Sequence, residues 1–106
     1  EIIERKISKN IGDILEEDIG KSLILAGIVN GKKVVKTKKD NQEMAILTVY
    51  DQTGTIDLIA FPKTYAKLKS ILQINRVILF KGKVDQKEGG LTIILENAVD
   101  LEKIKI

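Results

Sequence analysis

The chain has no cysteine and no histidine. The first absence excludes a disulfide framework and thiolate metal sites, and it fits a reducing compartment, so a cytoplasmic location is expected. The second removes the commonest general base and the commonest metal ligand together. No cofactor or metal is expected on these grounds. There is no tryptophan, and aromatic residues make up only 4% of the chain, so extensive ring surfaces are not on offer. No apolar run approaches the ~18 residues of a membrane span, and no signal-peptide pattern opens the chain, so no membrane partner is expected. The first residue is Glu1 rather than Met, from which we expect an excised piece of a longer protein or a processed product.

What is present suits one small domain. The 106 residues are 43% hydrophobic, enough for a single core without staples. The formal charge of +3 is unevenly spread. Residues 1–20 hold six acids against three bases, net −3, whereas residues 21–97 hold thirteen bases against seven acids, net +6. We therefore divide the chain into an acidic leader or linker (1–20), a basic body (21–100) and a tail toward a following segment (101–106). A basic body under an acidic leader suits a polyanion partner, although lysine also serves simply as a solubiliser.

In the leader, Ile11, Ile14, Leu15 and Ile19 have rough helical spacing, with a turn starting near Gly12-Asp13 and a stop at Gly20. Strand 1 is expected from Lys21 to Lys36, with Gly27 at a bulge or bend and Gly31 at a further bend. Strand 2 covers about Glu43 to Asp51, with Ala45, Leu47 and Val49 on one face and Met44, Ile46, Thr48 and Tyr50 on the other. Gln52-Thr53-Gly54 is a tight turn. Strand 3 runs from Thr55 to Phe61, with Ile56, Leu58 and Ala60 toward the core and Asp57 toward solvent. Pro62 fits the first position of a helix reaching about Leu72, with Tyr65, Leu68, Ile71 and Leu72 as its apolar stripe. Strand 4 is expected over Arg76 to Val84, a hairpin tip over Asp85–Gly90, and strand 5 over Leu91 to Asn97. The tail is expected to add a short strand or lead onward.

Three strands, one helix and two strands is the order of an all-β, five-stranded OB-fold Greek-key barrel with its helix between strands 3 and 4. Such barrels are mostly modules for binding single-stranded nucleic acid or protein. The stretch GIV…KTKK…MAILTVYDQTGTIDLIAFP…VILFKGKV resembles the OB domain near the C-terminal end of the α subunit of bacterial DNA polymerase III. More distantly it is similar to anticodon-binding OB domains of class II aminoacyl-tRNA synthetases. Thr37-Lys38-Lys39 followed by Met44-Ala45, the turn Asp51-Gln52-Thr53-Gly54, and Phe61-Pro62 with Tyr65 carry the likeness over roughly residues 10–100. Asp40-Asn41-Gln42 stands where the family often has a Gly-rich tip, and Ile46 where it often has an aromatic. The resemblance implies single-stranded DNA binding beside the polymerase active site, with catalysis in other domains of the larger subunit. It implies as partners the DNA, those remaining domains and other replisome proteins.

Three constellations are candidates for that binding. Lys32, Lys33, Lys36, Lys38 and Lys39 have no acid among them and offer flexible cations to phosphates. A solvated edge strand uses lysine as well. The outward face of strands 2 and 3 offers Ile46, Thr48 and Tyr50, with Met44, Asp57 and Ile59 beside them. Lys81, Lys83 and Lys87 flank the strand 4–5 hairpin as an opposite wall. Phe61, Tyr65 and Phe80 are read as core or helix-docking residues. Asp51, Asp57 and Asp85 imitate an acid set, but without a nucleophile–base pair or a phosphate-cradling loop they do not point to catalysis. The alternatives are a protein-interaction module using Met44, Ile46 and Ile59, and an RNA-binding module of the anticodon type, which would need hydrogen-bonding and stacking groups on strands 2 and 3.

Overall fold

The alternation of small and branched apolar residues with polar ones closes into a barrel in the computed structural model, which describes residues 9–101. The strands are β1 (Ser22–Lys36), β2 (Glu43–Asp51), β3 (Gly54–Ala60), β4 (Val77–Lys87) and β5 (Gly90–Asp100). One helix, α1 (Pro62–Leu68), lies between β3 and β4. The strand order β1-β2-β3-β5-β4 closes on itself, with β3 and β5 parallel and the other pairs antiparallel, as expected for the OB fold. Inside lie Leu25, Val29, Leu47, Val49, Leu58, Ile78, Phe80 and Ile93, with Tyr65, Leu68 and Leu72 plugging the end under the helix.

Three elements differ in length from the sequence expectation, one of them β5, which starts at Gly90 and runs on to Asp100 rather than ending at Asn97. The helix stops at Leu68, and the chain tightens through an Ile71 N–H to Leu68 carbonyl bond of 2.8 Å, yet Leu72 is still delivered to the core. β4 continues through Asp85, Gln86 and Lys87, because Glu88-Gly89 alone makes the turn, with Gly89 at φ +90°. The expected six-residue tip is therefore mostly paired strand.

β1 serves both halves of the wall. It pairs with β4 from Ser22 to Ile28 and with β2 from Ile28 to Lys36. Gly27 sits where the strand changes partners, and a Cβ there would stand 2.5 Å from Val49 Cγ1 and 2.8 Å from the Tyr50 carbonyl oxygen. The change of partners falls next to Gly27, but the extra residue is Asn30, between the pairs Val29–Val49 and Gly31–Thr48. Gly27→Ala is expected to lower stability by about 1–3 kcal/mol through this overpacking, read as a shift of the urea midpoint.

The leader residues form two short 3-10 turns, Ile11–Asp13 and Glu16–Asp18, rather than one helix. Ile11 is buried in the barrel core. Asp18 is also buried and accepts hydrogen bonds from Lys9 Nζ at 2.7 Å and from Leu15 N–H at 2.9 Å, with Lys21 Nζ 3.5 Å away. The Lys9 hydrogen bond, helped by the Leu15 N–H, draws its pKa down to about 2. The expected strand in the tail lies outside the described residues.

Candidate nucleic-acid interface

Strand pairing decides which side chains share a face, because residues opposite one another in a ladder point the same way. On the outer wall one row runs Lys33–Ile46–Ile59–Ile94–Lys83 across β1, β2, β3, β5 and β4. Its middle is an apolar strip of half-buried isoleucines, and its two ends are exposed ammonium groups. Toward the β2–β3 turn the next row is Gly31–Thr48–Asp57–Thr92. Tyr50 lies further along, half-buried between Ile28 and Thr55.

The row through Asp57 is polar and internally satisfied. Thr48 Oγ1 donates to Asp57 Oδ1 at 3.2 Å, Lys87 Nζ pairs with Asp57 Oδ2 at 2.5 Å, and Thr92 Oγ1 donates to the Asp57 carbonyl oxygen at 2.9 Å. Lys87 thus reaches the β3 side, where the hairpin was expected to form a wall, but a carboxylate of this chain already holds it. The two residues are thirty positions apart, and local spacing gave no sign of the pair.

The lysines of β1 do not form one patch. The extra residue at Asn30 reverses the alternation, so Lys32, Val34 and Lys36 pair with Leu47, Ala45 and Glu43 and fall on the helix side. Lys33 and Val35 fall on the outer side with Ile46 and Met44. Lys38 and Lys39 are exposed in a compact turn closed by the Thr37 N–H to Gln42 carbonyl bond of 2.9 Å, with Asn41 at φ 55°. Among the described residues, Lys33, Lys38, Lys39, Lys81 and Lys83 have no carboxylate at ion-pair distance. Lys81 lies opposite Ile24 and Asn97, on the wall away from β2 and β3, and so stands apart from the others.

One expectation is corrected. Tyr65 and Phe80 are core residues, but Phe61 is 47% exposed. It is one step beyond the Ala45–Ala60 pair and continues the outward alternation of Asp57 and Ile59. The signal was present in that alternation, but the following Pro62 favoured a helix-docking reading. Phe61 therefore adds an exposed ring at the lysine-turn end of the outer face. Tyr50 sits at the other end of β2, about 20 Å away at ~3.3 Å per residue.

The Asp51-Gln52-Thr53-Gly54 turn holds structure rather than ligand. Asp51 Oδ1 accepts from Thr53 N–H at 2.7 Å, Thr53 Oγ1 at 2.5 Å and Gly54 N–H at 3.1 Å, while Oδ2 accepts from Ile11 N–H at 3.0 Å. No group of three His, Cys, Asp or Glu residues arranged to hold a metal ion occurs among the described residues.

Comparison with known proteins identifies the family of the fold. The family model described as an OB-fold nucleic acid binding domain matches residues 23–101. DNA polymerase III subunit alpha of Aquifex aeolicus is 34% identical over 85 residues, which are 76% of this chain. The same subunit of Borreliella burgdorferi is 30% identical over 79 residues, 74% of this chain. The chain spans 7% of the length of these curated relatives. Among solved structures, asparaginyl-tRNA synthetase from Pyrococcus horikoshii superposes with a TM-score of 0.66 at 24% identity, over 90% of this chain and 23% of that one. The chain belongs to the OB-fold nucleic acid binding domain family and is homologous to a part of DNA polymerase III subunit alpha.

Proposed function

We propose that this domain holds single-stranded DNA across the outer face of β2, β3 and β5, mainly by charge and with little sequence preference, as a non-catalytic part of a replicative polymerase subunit. The observation that carries the reading is the row Lys33–Ile46–Ile59–Ile94–Lys83, with Phe61 and the Lys38-Lys39 turn beyond it. Bases pack on flat apolar surface, and phosphates follow ammonium groups along its margins. With one exposed ring at that end, stacking is limited and electrostatic attraction carries most of the affinity. The carboxylates contribute no chemistry in this reading. Asp51 is committed to its turn, Asp57 to Lys87, and Asp85 Oδ1 to the Gln86 N–H at 2.8 Å. The remaining domains of the subunit are the natural neighbours.

A labelled oligo-dT strand, followed by fluorescence anisotropy and challenged with unlabelled competitors, tests this. Mixed-sequence single-stranded DNA should compete about as well as oligo-dT, and duplex DNA clearly less well. Preferential displacement by RNA would favour the anticodon-type reading. Absence of binding at low salt would favour protein docking on the apolar strip, the second reading that Ile46, Ile59 and exposed Phe61 support. Base–ring stacking is worth ~1–3 kcal/mol by alanine substitution. Phe61→Ala is therefore expected to weaken oligo-dT binding by about fivefold or more, and Tyr50→Ala by less. The reverse order would move the stacking site to the other end of β2.

A further inference from the structure

We propose that the cleft on the helix side of β1 is a second phosphodiester-binding surface, so that one nucleic-acid strand contacts both sides of the free β1 edge. This rests on the single-strand reading above. The cleft is shallow, about 570 Å³, and is bounded by α1 and the start of β2. Its floor is Tyr65, 4% exposed, with Lys32 Nζ 5.4 Å and Lys69 Nζ 5.9 Å from the ring centroid. Lys63 lines the same cleft, and Lys36 falls on this side by its pairing with Glu43. Four lysines thus lie on this side of the barrel, and the carboxylate lining the cleft, Glu43, is 3.7 Å from Lys69 in a solvent-exposed pair. Such a pair is weak, so Glu43 leaves most of the local positive charge uncompensated. Two ammonium groups beside one ring add to the positive potential of the cleft, which attracts an anion.

The route between the two faces is short. Beyond Val29, whose N–H and carbonyl group bond to Arg76 and Asn75, β1 is paired with β2 alone. The segment from residue 31 to residue 36 is therefore an open edge among the described residues. Lys33 points outward from it, and Lys32 and Lys36 point to the helix side. A strand leaving the outer face has only the thickness of one β-strand to cross. Lysines on an edge also discourage pairing with another chain, but that role does not require Lys32 to stand with Lys69 over Tyr65.

The test uses oligo-dT of about 5 and about 15 nucleotides, within the usual range of OB footprints. Lys63 and Lys69 are exposed, so the double variant Lys63→Glu/Lys69→Glu should fold, which a thermal melt checks. The short strand should bind within twofold of the parent protein. The long strand should lose roughly five- to tenfold, and its slope of log K against log salt should become shallower by about 1.4, at ~0.7 per lost contact. Lys36→Glu should shift the long strand in the same direction. Equal affinity and slope for the long strand, or equal loss at both lengths, would overturn the proposal. If the parent protein binds neither length, the single-strand reading itself fails and takes this inference with it.

Discussion

Reversing Lys38 and Lys39 together, as Lys38→Glu/Lys39→Glu, should weaken single-stranded DNA binding by about 10- to 100-fold at low salt and by much less at high salt. The magnitude follows from Coulomb attraction. One ammonium–phosphate contact at ~4 Å is worth ~1 kcal/mol in water, and reversal replaces attraction with repulsion, while screening trims the total. Both side chains are exposed in the turn between β1 and β2 and have no carboxylate partner among the described residues, so their removal disturbs no internal ion pair. Anisotropy titrations at two salt concentrations measure the effect. Tyr50→Ala should cost less than this double reversal at low salt. An equal loss, or the opposite order, would mean that stacking rather than charge dominates the site. Reversal of Lys81, on the far wall, is expected to change affinity by less than twofold.

Asp51→Ala should lower folding stability by about 2–3 kcal/mol, because the carboxylate receives four hydrogen bonds and links two separated segments. It fixes the β2–β3 turn through Thr53 and Gly54. It also holds the 3-10 turn beneath which Ile11 enters the core, seconded by the Gly12 N–H bond of 2.8 Å to Thr53 Oγ1. A urea midpoint measures the loss. Single-stranded DNA affinity should hardly change under conditions where the variant is folded, since the turn lies at the opposite end of β2 from Lys38. Acid sensitivity should change as well. Burial works against ionisation of Asp51, but the Thr53 hydroxyl and the Ile11, Thr53 and Gly54 N–H groups outweigh it, so the pKa falls below the ordinary 3.8. For Asp18 the Lys9 and Leu15 hydrogen bonds lower it to about 2. A carboxylate with a depressed folded-state pKa contributes stability above its unfolded pKa and loses it as pH falls through the folded value. Stability should therefore drop from about pH 4 downward, with the Asp18 part gone near pH 2. Asp51→Ala should remove its own part of that slope.

Period-two alternation made most of the barrel legible. Ala45, Leu47 and Val49 against Ile46, Thr48 and Tyr50, and Ile56, Leu58 and Ala60 against Asp57 and Ile59, fall on the faces read from the sequence. Pro62 marked the helix start, and Asp51 marked the turn it caps. The site was harder to read because it depends on non-local register. A single extra residue at Asn30 inverts every later side chain of β1, so of five lysines that look like one patch Lys32 and Lys36 part from Lys33, while Lys38 and Lys39 lie beyond in the turn. No periodicity in the chain announces where that residue falls. The Lys87–Asp57 pair and the placement of Ile94 beside Ile59 depend on the parallel contact between β3 and β5, which only closure of the barrel creates. Phe61 was within reach of the alternation rule, and the proline after it argued the other way.

The most direct test of charge-driven binding is the salt dependence of oligo-dT affinity, measured by anisotropy from low to moderate ionic strength. At about 0.7 per phosphate contact, Lys33, Lys38, Lys39 and Lys83 predict a slope of log K against log salt near −3, with further steepening on long strands. A slope near zero, or no binding at the lowest salt, would contradict the account.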